Sequence, residues 1–142
     1  MKYSIIRKHY IEAGHRVYGH SGKCANLHGH SYEFEFIITN DKLDELGMVI
    51  DFSIIKNTIC NWLDENYDHR LLIWEKDSIA HQLQDIDKSV VLVPYNPTAE
   101  NIAKYLLDEV GPMLLKNYDI TLSSVSIRET NKCSANIQLN NL

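Results

Sequence analysis

His30-Ser31-Tyr32-Glu33-Phe34-Glu35-Phe36-Ile37-Ile38-Thr39 decides the fold, because His30, Tyr32, Phe34, Phe36 and Ile38 alternate with Ser31, Glu33, Glu35, Ile37 and Thr39. A period of two is the pattern of a β-strand with one buried face. The strand also starts with chemistry. Residues i and i+2 point to one side, so His28 and His30, around Gly29, present both imidazoles to one point. Imidazole nitrogen suits Zn2+, and a catalytic zinc site commonly takes three protein ligands and keeps a position open. His15 is the third candidate. It ends an extended-looking segment, 3–15, which would pair antiparallel with 30–39 through a loop at Gly19-His20-Ser21-Gly22. Cys24, on the same loop, has two readings: a fourth ligand, or a thiolate left free to react.

Working outward, Met48-Val49-Ile50 is short and apolar, and Asp51-Phe52-Ser53 offers N-cap chemistry for a helix over 53–65. Ile55, Ile59, Trp62 and Leu63 form its apolar stripe, with Cys60 an inert thiol in the helix body. Asp68-His69 follows, a surface turn or a proton relay in which a carboxylate fixes the imidazole tautomer. Residues 74–89 are polar and weakly patterned, an excursion with room for one short helix. Val90–Val93 is a short buried strand. Thr98 caps a second helix with Glu100 in its first turn; Ile102, Ala103, Leu106, Leu107 and Val110 form its stripe, and Gly111-Pro112 disfavours continuation. Thr121–Arg128 and 135–139 are the last strands. The order ββααββ lacks a βαβ rhythm. It predicts an α+β fold, a four-stranded antiparallel sheet with both helices on one face. The other face needs cover, which other subunits would supply.

A chain of 142 residues fits one domain, 1–142. Its 44% hydrophobic and 23% charged residues are those of a globular protein. A net charge of −5 without a Lys/Arg cluster argues against nucleic-acid binding. The early charges of Lys2, Arg7 and Lys8 argue against a signal peptide, and no run reaches membrane-spanning length, so a cytoplasmic protein is expected. Cys24, Cys60 and Cys133, an odd set at irregular spacing, suit a reducing compartment.

Gly14-His15-Arg16, Lys23-Cys24-Ala25-Asn26-Leu27-His28-Gly29-His30, Val49-Ile50-Asp51-Phe52, Asp68-His69, Pro97-Thr98-Ala99-Glu100-Asn101 and Arg128-Glu129-Thr130 occur together in order. This set resembles the 6-pyruvoyl-tetrahydropterin synthase family across essentially the whole chain. Three residues between Cys24 and His28 resemble the 6-carboxytetrahydropterin synthase branch of queuosine and deazapurine biosynthesis. The resemblance implies the tunnelling fold, a homo-oligomeric barrel, a hexamer, with active sites between neighbouring subunits. It also implies conversion of 7,8-dihydroneopterin triphosphate to 6-carboxy-5,6,7,8-tetrahydropterin, with loss of acetaldehyde and triphosphate. In that scheme His15, His28 and His30 hold Zn2+, Cys24 is the general base, and Asp68 and His69 return a proton. Glu129 anchors the pterin, and Thr98, Glu100 and Thr130 line its pocket. Charge alone, and not the resemblance, offers Lys23, Arg16 or His20 for the triphosphate, against a solvated surface. Two alternatives stand beside that scheme: the pyruvoyl product, and a non-catalytic zinc-stabilised oligomer that binds a pterin.

Overall fold

In the computed structural model, which describes residues 1–140, the alternating stretch is a long strand, β2 (His28–Asn40). It pairs antiparallel along its whole length with β1 (Tyr3–His15). Tyr32, Phe34, Phe36 and Ile38 are each at most 1% exposed. Each such side chain contributes about 1.5–3 kcal/mol by leaving water, so this row is the spine of the core.

On the β2 side the sheet continues through β5 (Thr121–Arg128) and β6 (Ser134–Gln138), both antiparallel. On the β1 side it continues through β3 (Arg70–Trp74) and β4 (Val90–Val93), both parallel, giving the order β4-β3-β1-β2-β5-β6. The expected four-stranded antiparallel sheet is therefore corrected. Those four strands form one block of a six-stranded mixed sheet. β3 escapes a period-two search because Leu72 and Ile73 are both buried, as parallel strands covered on both faces are.

The segment 74–89 is the crossover of a βαβ unit and carries the helix Ala80–Ile86. Ala80 packs with Ile73 and Val90 in a small cluster, whereas Leu72 and Val93 join the main core. By alternation the two sets lie on opposite faces. This third helix thus covers the face away from the two long ones, which share one face as expected, and the count of two helices is corrected to three.

The first long helix runs over 52–66, with a π-helical turn at Lys56–Cys60. Asp51 caps it, accepting from Ser53 N at 2.8 Å, and Ile55, Ile59 and Leu63 are its buried stripe. The second runs over 99–115, with a π turn at Leu106–Val110, and Thr98 caps it by accepting from Asn101 N at 3.1 Å. The expected stop at Gly111-Pro112 does not occur. Pro112 falls at the start of the last helical segment, just beyond the π turn that changes the backbone bonding pattern. Gly111 is a packing position: a Cβ there would collide with the Leu122 side chain of β5.

Candidate functional site

The β1–β2 register sets His15 directly opposite His28, and His30 lies two residues further along the same face. Gly14 faces Gly29 in the same ladder, where a Cβ on either would come within 3.2 Å of a backbone carbonyl of the other strand. The imidazole ligand nitrogens of the three histidines all lie within 4.8 Å of one another, and His15 Nε2 and His28 Nε2 are 3.1 Å apart.

Second contacts fix the tautomers. His15 Nδ1 donates to the Pro97 carbonyl at 2.6 Å and His28 Nδ1 to the Asn26 carbonyl at 2.7 Å, turning both Nε2 lone pairs inward. His30 Nε2 is buried without a partner. Burial lowers the His15 pKa to about 4, against the Pro97 carbonyl, with His28 and His30 lowering it further. Burial also lowers His30, opposed by the charge of Glu129. Converging imidazole nitrogens, one of them orphaned, fit a bound cation, and an all-imidazole donor set suits zinc. Cys24 lies outside this group.

Sequence reasoning missed the groups that hold the trio. Asn96 clamps the loop after β1 by accepting from Tyr18 N at 3.0 Å and donating to Tyr18 O at 2.9 Å. Asn101 Nδ2 donates to Asn96 O at 3.0 Å, steadying the segment that offers the Pro97 carbonyl to His15. Arg16 forms a fork on Asp77 at 2.6 and 2.7 Å, and the Asp77 side chain is fully buried. The Tyr18–Asn96 and Arg16–Asp77 pairs join residues 78 and 61 positions apart and leave no local pattern.

The Arg16 guanidinium is therefore engaged with Asp77. Burial alone would raise the Asp77 carboxyl, but Arg16 and the Ile79 N–H outweigh it and hold it below its ordinary value. Asp77→Ala should cost about 3 kcal/mol by stranding Arg16, read as a lower urea midpoint at pH 7. A depressed carboxylate stabilises above its unfolded pKa, and that stability is lost as pH falls through the folded value. The gap between wild type and Asp77→Ala should narrow in acid.

Cys24 sits partly exposed on the turn Lys23–Ala25, tied back by Val17 N donating to Cys24 O at 2.7 Å. Asp68 Oδ2 is 3.0 Å from His69 Nδ1. Burial would raise the Asp68 carboxyl, but the Glu12 N–H at 2.9 Å and the His69 imidazole hold it down. His69 has a φ of 58°, in the left-handed region, and an exposed side chain. With Glu12 and Ser31 it lines a cleft of about 440 Å³ that crosses the Gly29-His30-Ser31 stretch. Glu12 and Ser31 project from the face opposite His15, His28 and His30, and Ala13 and His30, of the trio's own face, line the same cleft.

Glu129 Oε2 stands 3.8 Å from His30 Nε2. Glu129 and Glu100 line a second cleft, of about 410 Å³, with Cys133. The hydroxyls of Thr98 and Thr130 are engaged locally, accepting from the Asn101 and Lys132 backbones. Cys133 was not anticipated; its one signal is its place in the turn after Glu129.

The sequence matches the family described as 6-pyruvoyl tetrahydropterin synthase over residues 4–140. A relative from Rickettsia typhi, named 6-carboxy-5,6,7,8-tetrahydropterin synthase, is 42% identical over 125 residues, covering 87% of this chain and 91% of the relative. One of the same name from Aquifex aeolicus is 35% identical over 128 residues, covering 76% and 78%. Among solved structures, an uncharacterized protein from Wolinella succinogenes superposes with a TM-score of 0.85 at 23% identity, over 97% and 98% of the chains. The 6-pyruvoyl tetrahydropterin synthase of Caenorhabditis elegans gives 0.72 at 24% identity, over 99% and 97%. These two share the fold.

Proposed function

The chain belongs to the 6-pyruvoyl tetrahydropterin synthase family, and we propose that it is a carbon-carbon lyase of queuosine biosynthesis. With one water consumed, it converts 7,8-dihydroneopterin triphosphate to 6-carboxy-5,6,7,8-tetrahydropterin and releases acetaldehyde and triphosphate. The observation that carries this reading is the convergence of three imidazoles beside Glu129, in a chain about 40% identical to relatives named for that product.

His15, His28 and His30 would hold Zn2+, which when bound supplies Lewis acidity for the side-chain hydroxyls of the substrate. Glu129 takes the pterin edge, since a carboxylate accepts two parallel hydrogen bonds from a ring N–H and an amino group. Glu100 shares its cleft, and Thr98 and Thr130 flank it. Cys24, as thiolate, removes a proton from the substrate side chain. His69, its Nδ1 held by Asp68, returns one from Nε2.

The two faces of the sheet bear on assembly. Asp68 and His69 serve a neighbouring subunit's site within a cytoplasmic homo-oligomer, a hexameric barrel. Among the described residues no helix is long and apolar enough to cross a membrane.

The test is anaerobic incubation of zinc-loaded protein with 7,8-dihydroneopterin triphosphate, following triphosphate and acetaldehyde and weighing the pterin product. Both leaving products with a carboxypterin mass are expected. Triphosphate without acetaldehyde would reassign the chain to the pyruvoyl reaction, and no turnover would leave a zinc-stabilised pterin binder.

A further inference from the structure

Tyr32 lies two residues beyond His30 on the same face of β2 and is 1% exposed. Its ring stands edge-on to His30 at 5.4 Å and to His15 at 5.9 Å. Its hydroxyl oxygen is buried without a hydrogen-bond partner, and among the described residues His30 Nε2 alone shares that condition. Packing does not account for a phenol here. The next two residues of the row are Phe34 and Phe36, and a buried hydroxyl with no partner destabilises the fold. The nearby tyrosines are satisfied: Tyr67 and Tyr95 bond each other through their hydroxyls at 2.7 Å.

The two orphaned atoms sit on adjoining rings, and one of them faces Glu129. Glu129 approaches His30 Nε2 to 3.8 Å. The Tyr32 ring packs edge-on against that same imidazole, so the phenol and the Glu129 carboxylate adjoin one histidine. A pterin presents an amino group, a ring N–H and a carbonyl oxygen along one edge. A carboxylate accepts from the first two and repels the third, which needs a donor.

We propose that Tyr32 is a further substrate-binding residue, its buried O–H donating to the pterin carbonyl beside the edge that Glu129 holds. This rests on the pterin reading above and adds to it a group that completes recognition of that edge. The hydroxyl gains its partner only when the ring is bound.

The experiment titrates zinc-loaded wild type, Tyr32→Phe, Glu129→Gln and the double variant with unsubstituted pterin, and measures ligand-free thermal stability and zinc content. Tyr32→Phe should keep its zinc and melt at or above the wild-type temperature, yet bind pterin about tenfold more weakly. The double variant should lose less than the product of the two single losses, because both groups grip one edge. Lower ligand-free stability of Tyr32→Phe would show that the hydroxyl serves the fold and overturn the inference. Unchanged pterin affinity in Tyr32→Phe, with Glu129→Gln weakened, would overturn it while leaving the pterin reading intact. Wild type that binds no pterin would remove both.

Discussion

Cys24→Ala should retain one zinc per chain and lose turnover by about 10²–10⁴-fold, the range over which a positioned general base accelerates proton transfer. The two halves of that result come from separate observations. Zinc is retained because the imidazole group closes on His15, His28 and His30 without the thiol. The fold is retained because Cys24 lies on a short, partly exposed turn with no buried residue, anchored through its backbone carbonyl rather than its side chain. Turnover is lost because alanine offers no group to take the proton. Metal analysis beside single-turnover kinetics reads both. Loss of zinc from Cys24→Ala would make the thiol a ligand and remove its role as base. Alkylation gives an independent check: Cys24 should react far faster than Cys60, whose thiol is 1% exposed and pushed up by burial.

The three-histidine cluster was legible because it rests on period-two alternation. Given strands at 3–15 and 30–39, the positions of His15, His28 and His30 follow from counting, and the register obeys that count. The helix stripes at Ile55, Ile59 and Leu63 and at Ile102, Leu106 and Val110 were legible for the same reason at a period of 3.6. β3 was not, because a five-residue strand with adjacent buried residues has no period. Without it the crossover 74–89 reads as a wandering loop and the third helix loses its sheet. Gly111-Pro112 misled because local propensity favours a break there, whereas close packing against Leu122 and the π turn allow continuation. The roles of Pro97, Asn96 and Asp77 depend on partners far away in the chain, so only the folded structure brings them to the site.

Mixing two inactive variants should restore activity. In the proposed mechanism Cys24→Ala lacks the base and His69→Ala the proton donor, and each pure protein should fall below about 1% of wild-type turnover. The groups they lack lie on different segments of the fold. Cys24 follows the loop that leads into the imidazole trio, while His69 lines a cleft with Glu12 and Ser31, which alternate with the trio across the sheet. A site drawing Cys24 from one subunit and His69 from its neighbour is intact when the first subunit carries the His69 change and the second the Cys24 change. Random co-assembly from equal co-expression makes that combination at about one site in four, so the mixed oligomer should recover about a quarter of wild-type activity. A site built within one subunit predicts no recovery, since every chain then carries one defect. The size of the recovery also reports geometry: about one quarter means one neighbour supplies the pair, and a value near zero with intact mixed oligomers returns Asp68 and His69 to the subunit of their own Cys24.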